Sequence, residues 1–129
     1  MAHILVIDDQ EHIRTIMKEF FTIDQHEVDL AESGTDGLKL VGLNVYDLVI
    51  TDVVMPHHDG FEVILALKRQ VPPVKVIAMT GGGAMLDIGD VLDASLLLGA
   101  DRVVSKPLDF AELQAVVNEV LDICSVNIP

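Results

Sequence analysis

Five short runs of aliphatic, largely β-branched residues recur along the chain, and a stretch with helical spacing follows each of them. The runs are His3 to Ile7, His26 to Leu30, Tyr46 to Thr51, Val74 to Met79 and Arg102 to Ser105. In most of them the apolar residues are nearly continuous, as in Leu48-Val49-Ile50. Strands of that kind are covered on both faces. Between the runs, Ile13, Ile16, Met17, Phe20 and Phe21 keep a helical period, as do Leu38 with Val41, and Phe61 with Ile64 and Leu65. Met85 to Leu98 reads as a fourth helix, and Phe110, Leu113, Val117, Val120, Leu121 and Cys124 mark a fifth. Ser33 or Thr35 can cap the second helix, Pro72-Pro73 stops the third, Gly81-Gly82-Gly83 forms a turn, and Asp109 caps the last. Alternating strands and helices with right-handed crossovers predict a three-layer α/β/α sandwich, a five-stranded parallel sheet with five helices on its faces. Residues 1–129 fit one domain.

In an open parallel sheet a ligand site lies beyond the carboxyl ends of the strands. Asp8-Asp9 follows the first run, Asp52 the third, Thr80 and Gly81 the fourth, and Lys106-Pro107 the fifth. A parallel sheet gathers these residues on one edge. Three adjacent carboxylates repel one another, and a hard divalent ion resolves the conflict. Mg²⁺ takes oxygen ligands and suits a cluster without His or Cys at ligand spacing. His57 and His58 read as solvated loop residues. A carboxylate is also a nucleophile that can form an aspartyl phosphate. The charge of a phosphoryl group on Asp52 would then be matched by Mg²⁺, the Lys106 ammonium and the Thr80 hydroxyl. Gly81 leaves room and a backbone N–H. Taken singly, each residue is an ordinary cap or turn residue. Their joint placement at successive strand ends is what points to phosphoryl chemistry.

The formal net charge of −13 provides no basic stripe for nucleic acid and favours basic partners or cations. No apolar run approaches the roughly 18–20 residues that span a bilayer, so no membrane insertion is expected. Met1-Ala2-His3-Ile4 enters a strand directly, without a secretory pattern. The single cysteine, Cys124, forms no internal disulfide and reads as an apolar filler. A reducing, cytoplasmic location follows from these features.

Ile7-Asp8-Asp9, Asp52-Val53-Val54-Met55-Pro56, Asp59-Gly60, Met79-Thr80-Gly81 and Ser105-Lys106-Pro107 together resemble the receiver domains of two-component response regulators, the CheY-like family. The resemblance covers nearly the whole chain. It implies a flavodoxin-like sheet of order 2-1-3-4-5. It implies that Asp52 is the phosphoacceptor, loaded by a histidine kinase or a histidine phosphotransfer protein. It implies Mg²⁺ on Asp8, Asp9, Asp52 and the backbone carbonyl of Val54, with Thr80 and Lys106 contacting the phosphoryl oxygens. The implied product is a signalling switch and not an enzyme. Its usual output face comprises the fourth helix, the fifth strand and the last helix. Asp87, Asp90, Asp93, Glu112 and Glu119 lie there, as solvating charges or as a surface for a basic partner.

One position departs from the pattern. Three residues before the lysine, where the family usually carries an aromatic, stands Val103. The response is then expected in the Gly81–Gly83 loop and the helix after it. Val54 and Gly82 offer no side chain to orient a water, which predicts slow to moderate self-dephosphorylation. With no output domain read in the sequence, the signal passes to a separate, unidentified protein target, and a dimer formed on phosphorylation is compatible with the reading. A receiver segment of a hybrid sensor kinase, or a pseudo-receiver that is never phosphorylated, are the alternatives. A haloacid-dehalogenase-type phosphatase needs an acid two residues after the nucleophile, where Val54 stands. A flavin-binding relative needs a phosphate loop after the first strand, where Asp8-Asp9-Gln10-Glu11 would repel an anion.

Overall fold

The computed structural model describes residues 2–55, 58–80 and 99–122. Along the chain run β1 (His3–Ile7), α1 (Glu11–Ile23), β2 (Glu27–Ala31), α2 (Gly34–Leu43), β3 (Leu48–Asp52), β4 (Val54–Met55), β5 (His58–Asp59), α3 (Gly60–Lys68), β6 (Lys75–Thr80), β7 (Arg102–Ser105) and α4 (Phe110–Asp122). Five strands form one sheet in the order β2-β1-β3-β6-β7, with every pairing parallel. Numbered within that sheet alone, the order is the expected 2-1-3-4-5. Four helices stand among the described residues, against five expected. The helix expected from Met85 to Leu98 falls outside them, as do the triple-glycine turn, His57 and Cys124.

Continuous apolar strands divide their side chains between two cores. Ile4 and Val6 of β1, Leu48 and Ile50 of β3, and Ile77 and Met79 of β6 meet α1 and α4 through Met17, Phe21, Leu113, Val117 and Val120. Leu5 and Ile7, Val49, and Val76 and Ala78 face the other way, onto Val41 of α2 and Val63, Ile64 and Leu67 of α3. The two-residue period of a strand makes this division, and both faces are therefore dry. At Gly37 of α2 the helix approaches β1 so closely that a Cβ would lie 2.3 Å from Cδ1 of Ile7. Ser33, not Thr35, caps α2, its Oγ accepting from the Asp36 N–H at 3.1 Å. Asp109 caps α4, with Oδ1 accepting from the N–H groups of Ala111 and Glu112.

Two details differ from the sequence expectation. β2, β3 and β6 end one residue later than their apolar runs, because Ala31, Asp52 and Thr80 still pair in the sheet or close its ladder. The loop after Asp52 also holds a short antiparallel pair, Val54 with Asp59 and Met55 with His58. The register then fixes both ends of the sheet. Ile7 lies beside Thr51, Asp52 beside Met79, and Thr80 beside Ser105. Asp8, Asp52, Thr80 and Lys106 therefore emerge on one edge.

Candidate active site

The carboxyl edge of the sheet is a pocket of buried charge. Asp8 is fully buried, Asp52 is 3% exposed and Thr80 1%. Asp8, exposed Asp9 and Asp52 each offer a carboxylate oxygen, all within 4.8 Å of one another. Lys106 reaches across from β7, its Nζ donating to Oδ2 of Asp52 and to Oδ2 of Asp8, each at 2.7 Å. Burial alone would lower the Lys106 pKa, but the hydrogen bonds and charges of Asp52 and Asp8 outweigh it and hold the ammonium above its ordinary value.

Local structure sets these positions. The Lys106 N–H donates to the Thr80 carbonyl at 2.6 Å, which ties the lysine to the end of β6. Asp8 is fixed on three sides. Its N–H donates to the Ala31 carbonyl, its Oδ1 accepts from the Gln10 N–H at 2.8 Å, and its carbonyl accepts from the Arg14 guanidinium at 2.8 Å. Thr80 points a buried hydroxyl that has no hydrogen-bond partner among the described residues. A buried hydroxyl left in that state costs stability, and its site invites an acceptor that arrives later.

The structure thus brings together Asp8, Asp9, Asp52, Thr80 and Lys106. Val54 opens β4 two residues after Asp52. Gly81 and Gly82 fall outside the described residues. Val103 packs partly buried against the core on the α2 and α3 side, beside Ala78. Two neighbours were not foreseen from the sequence. Gln10 precedes α1 without a side-chain cap bond and instead accepts from Lys106 Nζ at 3.2 Å. Arg14, one helical turn further on, anchors the Asp8 backbone. The sequence signal for both was their distance from the acidic pair.

All-oxygen carboxylate donors at this separation fit a hard divalent cation such as Mg²⁺. In that arrangement Lys106 and the cation would share Asp8 and Asp52 as counter-charges.

Residues 4–118 match the response regulator receiver domain family. The probable transcriptional regulator ycf27 of Cyanidium caldarium is 34% identical over 121 residues, covering 92% of this chain and 46% of that protein. The chain spans about half the length of the curated relatives it matches. Among solved structures, a response regulator receiver domain protein from Clostridium thermocellum superposes with a TM-score of 0.85 at 32% identity, covering 98% of each chain. The receiver domain of a signal transduction histidine kinase from Syntrophus aciditrophicus gives a TM-score of 0.83 at 27% identity, covering all of this chain and 95% of that one.

Proposed function

The chain belongs to the response regulator receiver domain family, and from that premise we propose that it is a phosphorylation switch with Asp52 as phosphoacceptor. A carboxylate oxygen of Asp52 attacks the phosphorus of a phosphohistidine on a histidine kinase or a histidine phosphotransfer protein. A P–O bond forms as the P–N bond breaks, and the imidazole leaves with the bonding pair. Asp8, Asp9, Asp52 and the Val54 carbonyl would hold Mg²⁺, which when bound supplies positive charge between the carboxylates and the phosphoryl oxygens. Lys106 would neutralise a second oxygen, and the Thr80 hydroxyl would donate to a third.

The observation that carries this reading is the position of Lys106 Nζ, 2.7 Å from Asp52 and from Asp8 in a pocket where both acids are buried. A lysine at the nucleophile is what the product needs, because charge grows there on transfer. The chain acts as a switch that catalyses only its own loading and unloading. Its output is a changed surface around β7, α4 and the segment between β6 and β7, for partner binding in the cytoplasm. The net charge of −13 is the ground for proposing no direct nucleic-acid contact through this domain. A second reading, a receiver segment of a hybrid sensor kinase, draws on the likeness to the Syntrophus kinase receiver and uses the same chemistry.

The test is mass spectrometry after treatment with acetyl phosphate and Mg²⁺. One phosphoryl unit should appear and map to Asp52, and Asp52→Asn should abolish it. A label on another residue would falsify the assignment, and no label in wild-type protein would favour the pseudo-receiver.

A further inference from the structure

The opposite, amino end of the sheet carries the most exposed large apolar side chains among the described residues: Ile23 and Leu43 (81% each), Val45 (88%) and Val71 (96%). All four stand at or just beyond the carboxyl end of a helix, where the chain turns to enter a strand. Leu43, Val45 and Val71 line one groove of about 810 Å³, together with Tyr46 and Pro72. An isolated exposed valine needs no explanation, but three around one groove do.

The charge of the groove says what fits it. The chain holds 21 acidic residues against 8 Lys and Arg. The groove's lining holds one of each, Asp47 and Lys75. Lys75 makes no salt bridge among the described residues. Two copies of a chain at −13 repel one another wherever acidic surfaces meet, and least where a neutral apolar patch meets its like. Under a two-fold axis the patch meets itself, so each copy brings one Lys75 and one Asp47 to the contact and no net charge.

We propose that this groove is the interface through which the chain pairs with a second copy of itself, amino end to amino end. The patch is small, so the dimer is weak and concentration-dependent. Both acidic pockets stay open at the far ends of the pair. Dimerisation is then independent of phosphorylation and does not rest on the assignment of Asp52.

Sedimentation equilibrium on the intact chain tests this, with amide NMR on a dilution series to locate the contact. The mass should rise from 14.0 kDa towards twice that value, and shift changes should cluster at residues 42–47 and 70–75. Val45→Asp and Val71→Asp, both at solvent-exposed positions, should each weaken association at least tenfold while circular dichroism stays unchanged. Should either variant lose its fold, Lys75→Glu replaces it, with the same expected weakening through like-charge contact. A 14.0 kDa species up to roughly 1 mM, the weak limit of specific pairing, overturns the proposal. So does association that maps to β7 and α4, or that survives the folded groove variants.

Discussion

At the carboxyl end of the sheet Asp8, Asp52 and Thr80 are buried, while at the amino end Leu43, Val45 and Val71 stand largely in solvent. Partition by polarity alone would place these residues the other way round. Both ends are made by the same parallel register, so the strands do not explain the contrast. At the carboxyl end, desolvated carboxylates are tolerated because Lys106 spans them at 2.7 Å. At the amino end no charge is buried among the described residues, and apolar surface is exposed instead. Departures from local rules concentrate where a protein does something other than fold. Here the two departures are the ground of the two proposals, a phosphoryl site at one end and a contact with a second copy at the other.

The largest effect expected from disturbing this contrast comes from Lys106→Ala. It removes the ammonium from carboxylate side chains that are 0% and 5% exposed. Removing one partner of a buried pair strands the other, a loss of about 3 kcal/mol or more. Urea unfolding at neutral pH without divalent ions should show that loss, and millimolar Mg²⁺ should recover part of it. A variant that unfolds like the wild type without Mg²⁺ would mean that the lysine does not hold the carboxyl end together.

A smaller effect of opposite sign is expected at Thr80. Its hydroxyl is buried without a partner among the described residues, a condition that works against the folded state. Thr80→Val keeps the shape and removes the unsatisfied group. It should raise unfolding stability by about 1 kcal/mol while weakening the response to phosphorylation. Reduced stability in the valine variant would show that the hydroxyl is already satisfied, and the carboxyl end would then lose one of its marks of function.

Much of this was legible in the sequence, and the reasons are physical. Continuous apolar runs such as Leu48-Val49-Ile50 forced a doubly covered parallel sheet, and parallel strands bring their carboxyl ends to one edge. Asp8, Asp9, Asp52, Thr80 and Lys106 were therefore legible together. Gln10 was not, because it stands at the N-cap of α1 yet its side chain turns towards Lys106, a choice made by a neighbour 96 residues away. The β4 and β5 pair was hidden because two residues per strand show no periodicity. The groove at the amino end was hidden for another reason. An apolar residue at the end of a helix, such as Leu43, looks in sequence like one more core position, and only packing shows that nothing covers it.

The smallest expected effect lies near the amino end, at Asp29 of β2. Its Oδ2 accepts from the Tyr46 hydroxyl at 2.7 Å and from Nε2 of His3 at 2.9 Å, and the His3 and Tyr46 rings lie 4.4 Å apart. Partial burial pushes the Asp29 carboxyl upward, but the bonds from Tyr46 and His3, with the charges of His3 and Lys18, outweigh it and set its pKa below the ordinary 3.8. A folded pKa below the unfolded one means that the ionised form favours folding. The contribution is present above pH 3.8 and fades as pH falls through the folded value. The Asp29 side chain is 40% exposed, so water screens the cluster and the contribution stays below about 1 kcal/mol. Thermal melts of wild type and Asp29→Asn should differ by a small constant at neutral pH, and the gap should close below pH 3.8. A gap as large as that of Lys106→Ala would erase the contrast between the two ends, because charge would then matter as much in the open cluster as in the buried pocket.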